Sequence, residues 1–105
     1  MTRDSAIVLD LNNPVFQARL FALQKAEKLA VLKTLEKIAN LSWMQLYQDS
    51  GLKWEKIIDA PPAKSGEDIY SLRISKSCRA TAYRQDNIIR FVNIFPDHDA
   101  TYGKK

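Results

Sequence analysis

With 105 residues, of which 46 % are hydrophobic, the chain is sized for one domain spanning 1–105 and can bury a core, which excludes wholesale disorder. No apolar run reaches membrane-spanning length, the opening "MTRDSAIVLDLNNP" lacks a secretory apolar segment, and the single cysteine, Cys78, excludes an intrachain disulfide; the expected compartment is the cytoplasm, with no membrane partner. The net charge of +4 lies wholly in the last third, because residues 1–68 carry nine basic and nine acidic side chains and residues 69–105 carry seven and three; that asymmetry favours an anionic partner there.

In chain order, "AIVLDL" (Ala6 to Leu11) is rich in apolar and β-branched residues and reads as a short strand. Asn13 is a good N-cap and Pro14 suits the first helical position. From there to about Asn40 there is no Gly or Pro. Phe16, Leu20 and Leu23 form one apolar stripe; Leu32, Leu35, Ile38 and Ala39 form another. The stripes do not join cleanly, which predicts a helical hairpin with its joint near Gln24 to Lys28. "SWMQLYQDSG" predicts a shorter helix capped by Ser42 and ended by Gly51, with Trp43, Leu46 and Tyr47 on one side.

"LKWEKII" is strand-like, and "DAPPAKSGED" is a loop punctuated by Pro61, Pro62 and Gly66. The period then becomes two. In "IYSLRIS", Tyr70, Leu72 and Ile74 face one way and Ser71, Arg73 and Ser75 the other. "RATAYRQ" and "IIRFVNIF" flank Asp86-Asn87, a plausible two-residue turn, which would pair Gln85 with Ile88 and Tyr83 with Arg90. Arg79, Thr81 and Tyr83 then share a face with Arg90 and Val92, while Ala80, Ala82, Ile89 and Phe91 form a small-against-large core face. The expected fold class is α+β: an N-terminal strand, a helical hairpin plus a short helix, then a three-strand antiparallel meander.

This order of elements resembles the RelE/ParE toxin superfamily of bacterial toxin–antitoxin systems. "IYSLRISKSCRATAYR" looks like that family's central signature, an alternating basic strand, a short turn and an arginine opening the next strand; Arg79 falls on that arginine and Arg73 near the preceding basic positions. "FVNIFPDHDATY" looks like its last strand and tail, with His98 and Tyr102 in the places of a basic residue and a downstream Tyr. The segment from Leu41 to Asp68 is longer than in the smallest members, and a histidine stands where some relatives have arginine. The resemblance implies a RelE-like microbial ribonuclease-type fold. It also implies the toxin of a toxin–antitoxin pair, a ribosome-dependent, metal-independent mRNA endoribonuclease that inhibits translation. A DNA gyrase inhibitor of the ParE kind, or a non-catalytic antitoxin-binding domain, is the alternative. Its partners would be a cognate antitoxin and mRNA on the ribosome, with the chain acting alone, as a homodimer or in a hetero-oligomer with antitoxin.

RNA cleavage without metal needs a base for the 2′-OH, cations for the charge growing on the phosphate, and an acid for the departing 5′ oxygen. His98 is the only imidazole and the favoured general acid, with base the other role open to it. Arg79 and Arg73 supply guanidinium forks for phosphate oxygens, and Tyr102 can stack on a base or share the proton transfer. Tyr83, Arg90, Lys76, Lys104 and Lys105 are candidates for holding RNA, and Glu55 is a low-ranked carboxylate base. On its residues alone, each has a plainer reading: a solvated histidine in a polar tail, and Trp43, Tyr47 and Trp54 as core packing. Cys78, beside Arg79, reads as a packed thiol rather than a nucleophile. No CxxC pair or His/Cys cluster is present, so neither a metal nor a cofactor is expected.

Overall fold

A computed structural model describes residues 6–76 and 78–96 of the chain. The elements run β1 (Val8–Asp10), α1 (Pro14–Phe21), α2 (Lys25–Ala39), α3 (Trp43–Gln48), β2 (Glu55–Lys56), β3 (Tyr70–Ser75), β4 (Cys78–Gln85) and β5 (Ile88–Pro96). The class is α+β, as expected, with a mixed five-stranded sheet in the order β1-β5-β4-β3-β2. β3, β4 and β5 follow one another antiparallel; β1 joins β5 in parallel at one edge and β2 joins β3 at the other. None of the described helices is long and apolar enough to cross a membrane.

Local chemistry sets the helix limits. Asn13 Oδ1 accepts from the amides of Val15 (2.8 Å) and Phe16 (3.3 Å), satisfying two of the orphan donors at the start of α1. The helical joint falls at residues 22–24, meeting the predicted break only at Gln24, because α2 already begins at Lys25. α2 buries Val31, Leu35 and Ile38, whereas Leu32 is 52 % exposed and Ala39 is also exposed. This corrects the predicted stripe. Each residue turns the helix by about 100°, so the i, i+4, i+7 set beginning at Val31 meets the sheet and Leu32 points away. Ser42 and Gln45 form a reciprocal capping box at the start of α3. That helix stops at Gln48, before Gly51, because Asp49 Oδ1 accepts from the amides of Gly51 (2.9 Å) and Leu52 (3.0 Å) and turns the chain.

The core lies between the helices and one sheet face. Phe16 packs on Phe91 at 5.2 Å between ring centroids, in a core that also buries Leu72, Ile74, Ala80, Ala82, Ile89 and Ile94. The turn register holds as predicted: Gln85 pairs Ile88, Tyr83 pairs Arg90, and Asp86 takes the positive φ of 56°. A bulge between Thr81 and Ala82 then shifts the ladder, so Thr81 faces Asn93 and Arg79 faces Phe95. Continuing the turn's register would set Asn93 opposite Ala80 on the core face and Ile94 opposite Arg79. The extra residue keeps the amide out of the core and puts Ile94 into it.

Phe16→Ala should destabilise the domain by about 3–5 kcal/mol, read from the urea midpoint, because the cavity it leaves is walled by rigid sheet residues. Lys37 Nζ lies 2.9 Å from Asp49 Oδ2, and this bond, with the amides of Leu52 and Gly51, holds the Asp49 carboxyl below its ordinary value against the opposing effect of burial. A depressed carboxyl stabilises the fold above its unfolded value, near 3.8, and that contribution is lost as pH falls through the lower folded value. Asp49→Asn should therefore lower the urea midpoint at pH 7, and the two proteins should converge in strong acid.

Candidate functional site: the basic face of the sheet

The sheet face opposite the helices carries the candidate chemistry. Period-two alternation puts Ser71 and Arg73 of β3, Arg79, Thr81 and Tyr83 of β4, and Arg90, Val92, Asn93 and Phe95 of β5 on this side. Arg73 and Arg79 are direct cross-strand partners. Two guanidinium-bearing side chains thus share one point of the face, and like charges so placed are destabilising by themselves. Arg73 Nε is buried and has no hydrogen-bond partner among the described residues, while the Arg73 amide donates to the Leu52 carbonyl at 2.7 Å and pins the strand beneath it. Lys76 is exposed in the β3–β4 turn, at the same end of the sheet.

Arg90 has a different setting. Its Nη1 forms an ion pair with Asp10 on β1 and its Nε donates to Gln85 Oε1 at 2.6 Å. Gln85 Nε2 donates to Glu67 Oε2 at 3.2 Å, and the other oxygen of Glu67 accepts from the Ser65 hydroxyl. These groups form a continuous polar chain from the 57–69 connection across the hairpin to the edge strand. Arg90 closes the parallel edge and directs its charge at Asp10.

Glu55 pairs Ser71, which places its carboxylate on the basic face, in the row that continues through Thr81 and Asn93. Sequence alone did not connect it to that surface. Arg84 lies on the other side with its guanidinium 4.5 Å above the Trp43 ring and Nη1 donating to Tyr47 Oη at 2.8 Å. Trp43 is buried in the core and Trp54 stacks on Tyr70 at 4.6 Å, so the aromatic cluster packs the helix side, with Tyr47 half exposed at its rim. Cys78 is fully buried; burial first, then the charge of Glu27, pushes its thiol above the ordinary value. His98, Tyr102, Lys104 and Lys105 lie outside the described residues.

One feature of this face escaped the sequence reading. The connection between β2 and β3 bends over the sheet and leaves a cleft of about 600 Å³ walled by Ile57, Pro61, Pro62, Tyr83, Val92 and Phe95, with Thr81 and Asn93 also lining it. The connection is stitched by backbone bonds from Ile57 to Ile69, Ala63 to Glu67 and Gly66 to Ala63, the last closing a turn in which Gly66 takes a φ of 98° that other residues resist. The signal available in the sequence was the placement of apolar Ile57 and Ile69 at the two ends of the Pro-Pro loop.

Compared with protein-family models, curated proteins and solved structures, the chain finds no significant match.

In the folded protein Cys78 should react with a thiol reagent roughly 10³-fold more slowly than in denaturant, since reaction must await opening of the β3–β4 hairpin. Fast labelling of the native chain would show that the thiol is accessible and reactive.

Proposed function

We propose that this protein is the toxin of a toxin–antitoxin pair and acts as a metal-independent endoribonuclease on mRNA held by the ribosome. The observation that carries this reading is the cross-strand pair Arg73 and Arg79 on the sheet face opposite the helices. A phosphate passing through the pentavalent state gains charge on its non-bridging oxygens, and two fixed guanidinium forks approaching from one side stabilise that charge. The resemblance in the sequence supplies the substrate class, and the positive excess of the last third agrees with it.

In this mechanism the 2′-OH loses its proton, its oxygen attacks the adjacent phosphorus, and the bond to the 5′ oxygen breaks. Arg73 and Arg79 hold the phosphate. His98 delivers the proton to the departing 5′ oxygen, and Tyr102 stacks on a neighbouring base. β5 ends at Pro96, paired with Cys78, and Arg79 is the next residue along β4. His98 follows Pro96 by two residues, within about 7 Å of it along an extended chain, so reach permits the role. Glu55, on the same face as Arg73, is the available carboxylate for the 2′-OH proton. A site this sparse leaves the orientation of the substrate to a larger RNA machine.

Induction of the wild type should arrest growth and produce mRNA 5′ ends phased to codons, and these ends should vanish when translation is blocked. Arg79→Ala should lower cleavage about 10²- to 10³-fold and His98→Ala about 10²- to 10⁴-fold, with the fold retained. Arrest that persists in both variants while DNA supercoiling collapses would replace this reading with gyrase inhibition.

A further inference from the structure

The cleft beneath the 57–69 connection takes no part in the proton and phosphate chemistry above, yet it opens on the same sheet face. We propose that it is a nucleobase slot, holding one base of a single-stranded RNA whose phosphate lies at Arg73 and Arg79; the choice of RNA as the polymer rests on the ribonuclease reading.

Three features select this occupant. Tyr83 and Phe95 supply flat aromatic walls, and Pro61, Pro62 and Ile57 close the slot from the loop side, a surface suited to a stacked ring. Polar side chains in the lining are Asn13, Lys64, Thr81 and Asn93 beside the Tyr83 hydroxyl. Thr81 is only 9 % exposed, and it and Asn93 are cross-strand partners in the lining, where a hydroxyl and an amide can meet the hydrogen-bonding edge of a base. The slot and the arginines are also in step. Phe95 is the cross-strand partner of Arg79, and Thr81 lies two residues from Arg79 on the same strand and face, about 7 Å away. A ligand with an anionic group and a flat ring at that spacing fills both places; an apolar side chain fills only one.

The slot is also preformed. Its loop is held by its own backbone bonds, by two prolines and by the Ser65–Glu67–Gln85–Arg90 chain. Little ordering entropy is therefore lost on binding.

The test uses the purified full chain and the amide NMR spectrum. The probes are the four ribonucleoside 5′-monophosphates, ribose 5-phosphate as the anion without a base, and an acidic apolar peptide. Nucleotides should shift Ile57, Thr81, Val92 and Phe95 together with Arg73 and Arg79, and ribose 5-phosphate should shift the arginines alone. Ala63→Trp, which plugs the slot from the loop, should weaken nucleotide binding about tenfold and leave ribose 5-phosphate within about twofold. If that variant fails to fold, Phe95→Leu should produce the same selective loss. Equal affinity for nucleotides and ribose 5-phosphate, cleft shifts with the peptide but not with nucleotides, or no nucleotide-dependent shift at all would overturn the proposal. None of these readouts requires RNA cleavage, so failure of the ribonuclease reading in cells is distinguishable from failure of the slot.

Discussion

The basic face depends on the one-residue bulge in the β4–β5 ladder. Above it, the Asp86-Asn87 turn sets a register that makes Ala82 and Phe91 partners on the core side. Below it, the register has moved by one, and Ala80 meets Ile94 there instead. Burying the Asn93 amide without partners would cost about 1–3 kcal/mol, and leaving Ile94 in water would forfeit a comparable amount. Both costs are avoided by admitting Val92 as an extra residue. The same adjustment seats Phe95 opposite Arg79, so core packing on one side of the sheet determines which aromatic ring accompanies which arginine on the other.

The two faces divide the labour of the chain. The helix side takes the large apolar groups and the aromatic cluster, with Arg84 laid over Trp43 as a lid on its edge. The other side keeps Arg73 and Arg79 opposed on adjacent strands. Such a pair weakens an isolated sheet, and a fold that keeps it must recover the loss in the surrounding packing. Here Leu72, Ile74, Cys78 and Ala80, the residues flanking the two arginines on their strands, are all fully or almost fully buried. The charge is therefore displayed from a rigid base, which is what a preorganised electrostatic site requires.

The loop over the sheet gives this basic surface a shape. A bare sheet face offers charge but no enclosure. The Pro-Pro connection adds a wall, and the polar chain from Ser65 through Arg90 to Asp10 anchors that wall to both hairpin and edge strand. Under the proposed reading, the arginines recognise the phosphate that every nucleotide shares, and the cleft is where bases can be told apart.

Much of the fold was legible in the chain because it rests on short-range chemistry. Asn13-Pro14 announces a helix start, Ser42 with Gln45 announces another, and the alternation in "IYSLRIS" declares its own inside and outside; each needs only neighbours within a few residues. The pairing of Gln85 with Ile88 and Tyr83 with Arg90 followed from a two-residue turn for the same reason. Tertiary structure decided what depends on distant partners. It selected Val31 over Leu32 as the buried position of α2, since both are apolar and only contact with the sheet distinguishes them. It also introduced the bulge, paired Arg90 with Asp10 eighty residues away, and folded a proline loop over the face carrying Arg79. Propensity acts within a turn or two of chain, whereas packing and charge pairing act through space, between segments whose meeting no local pattern encodes.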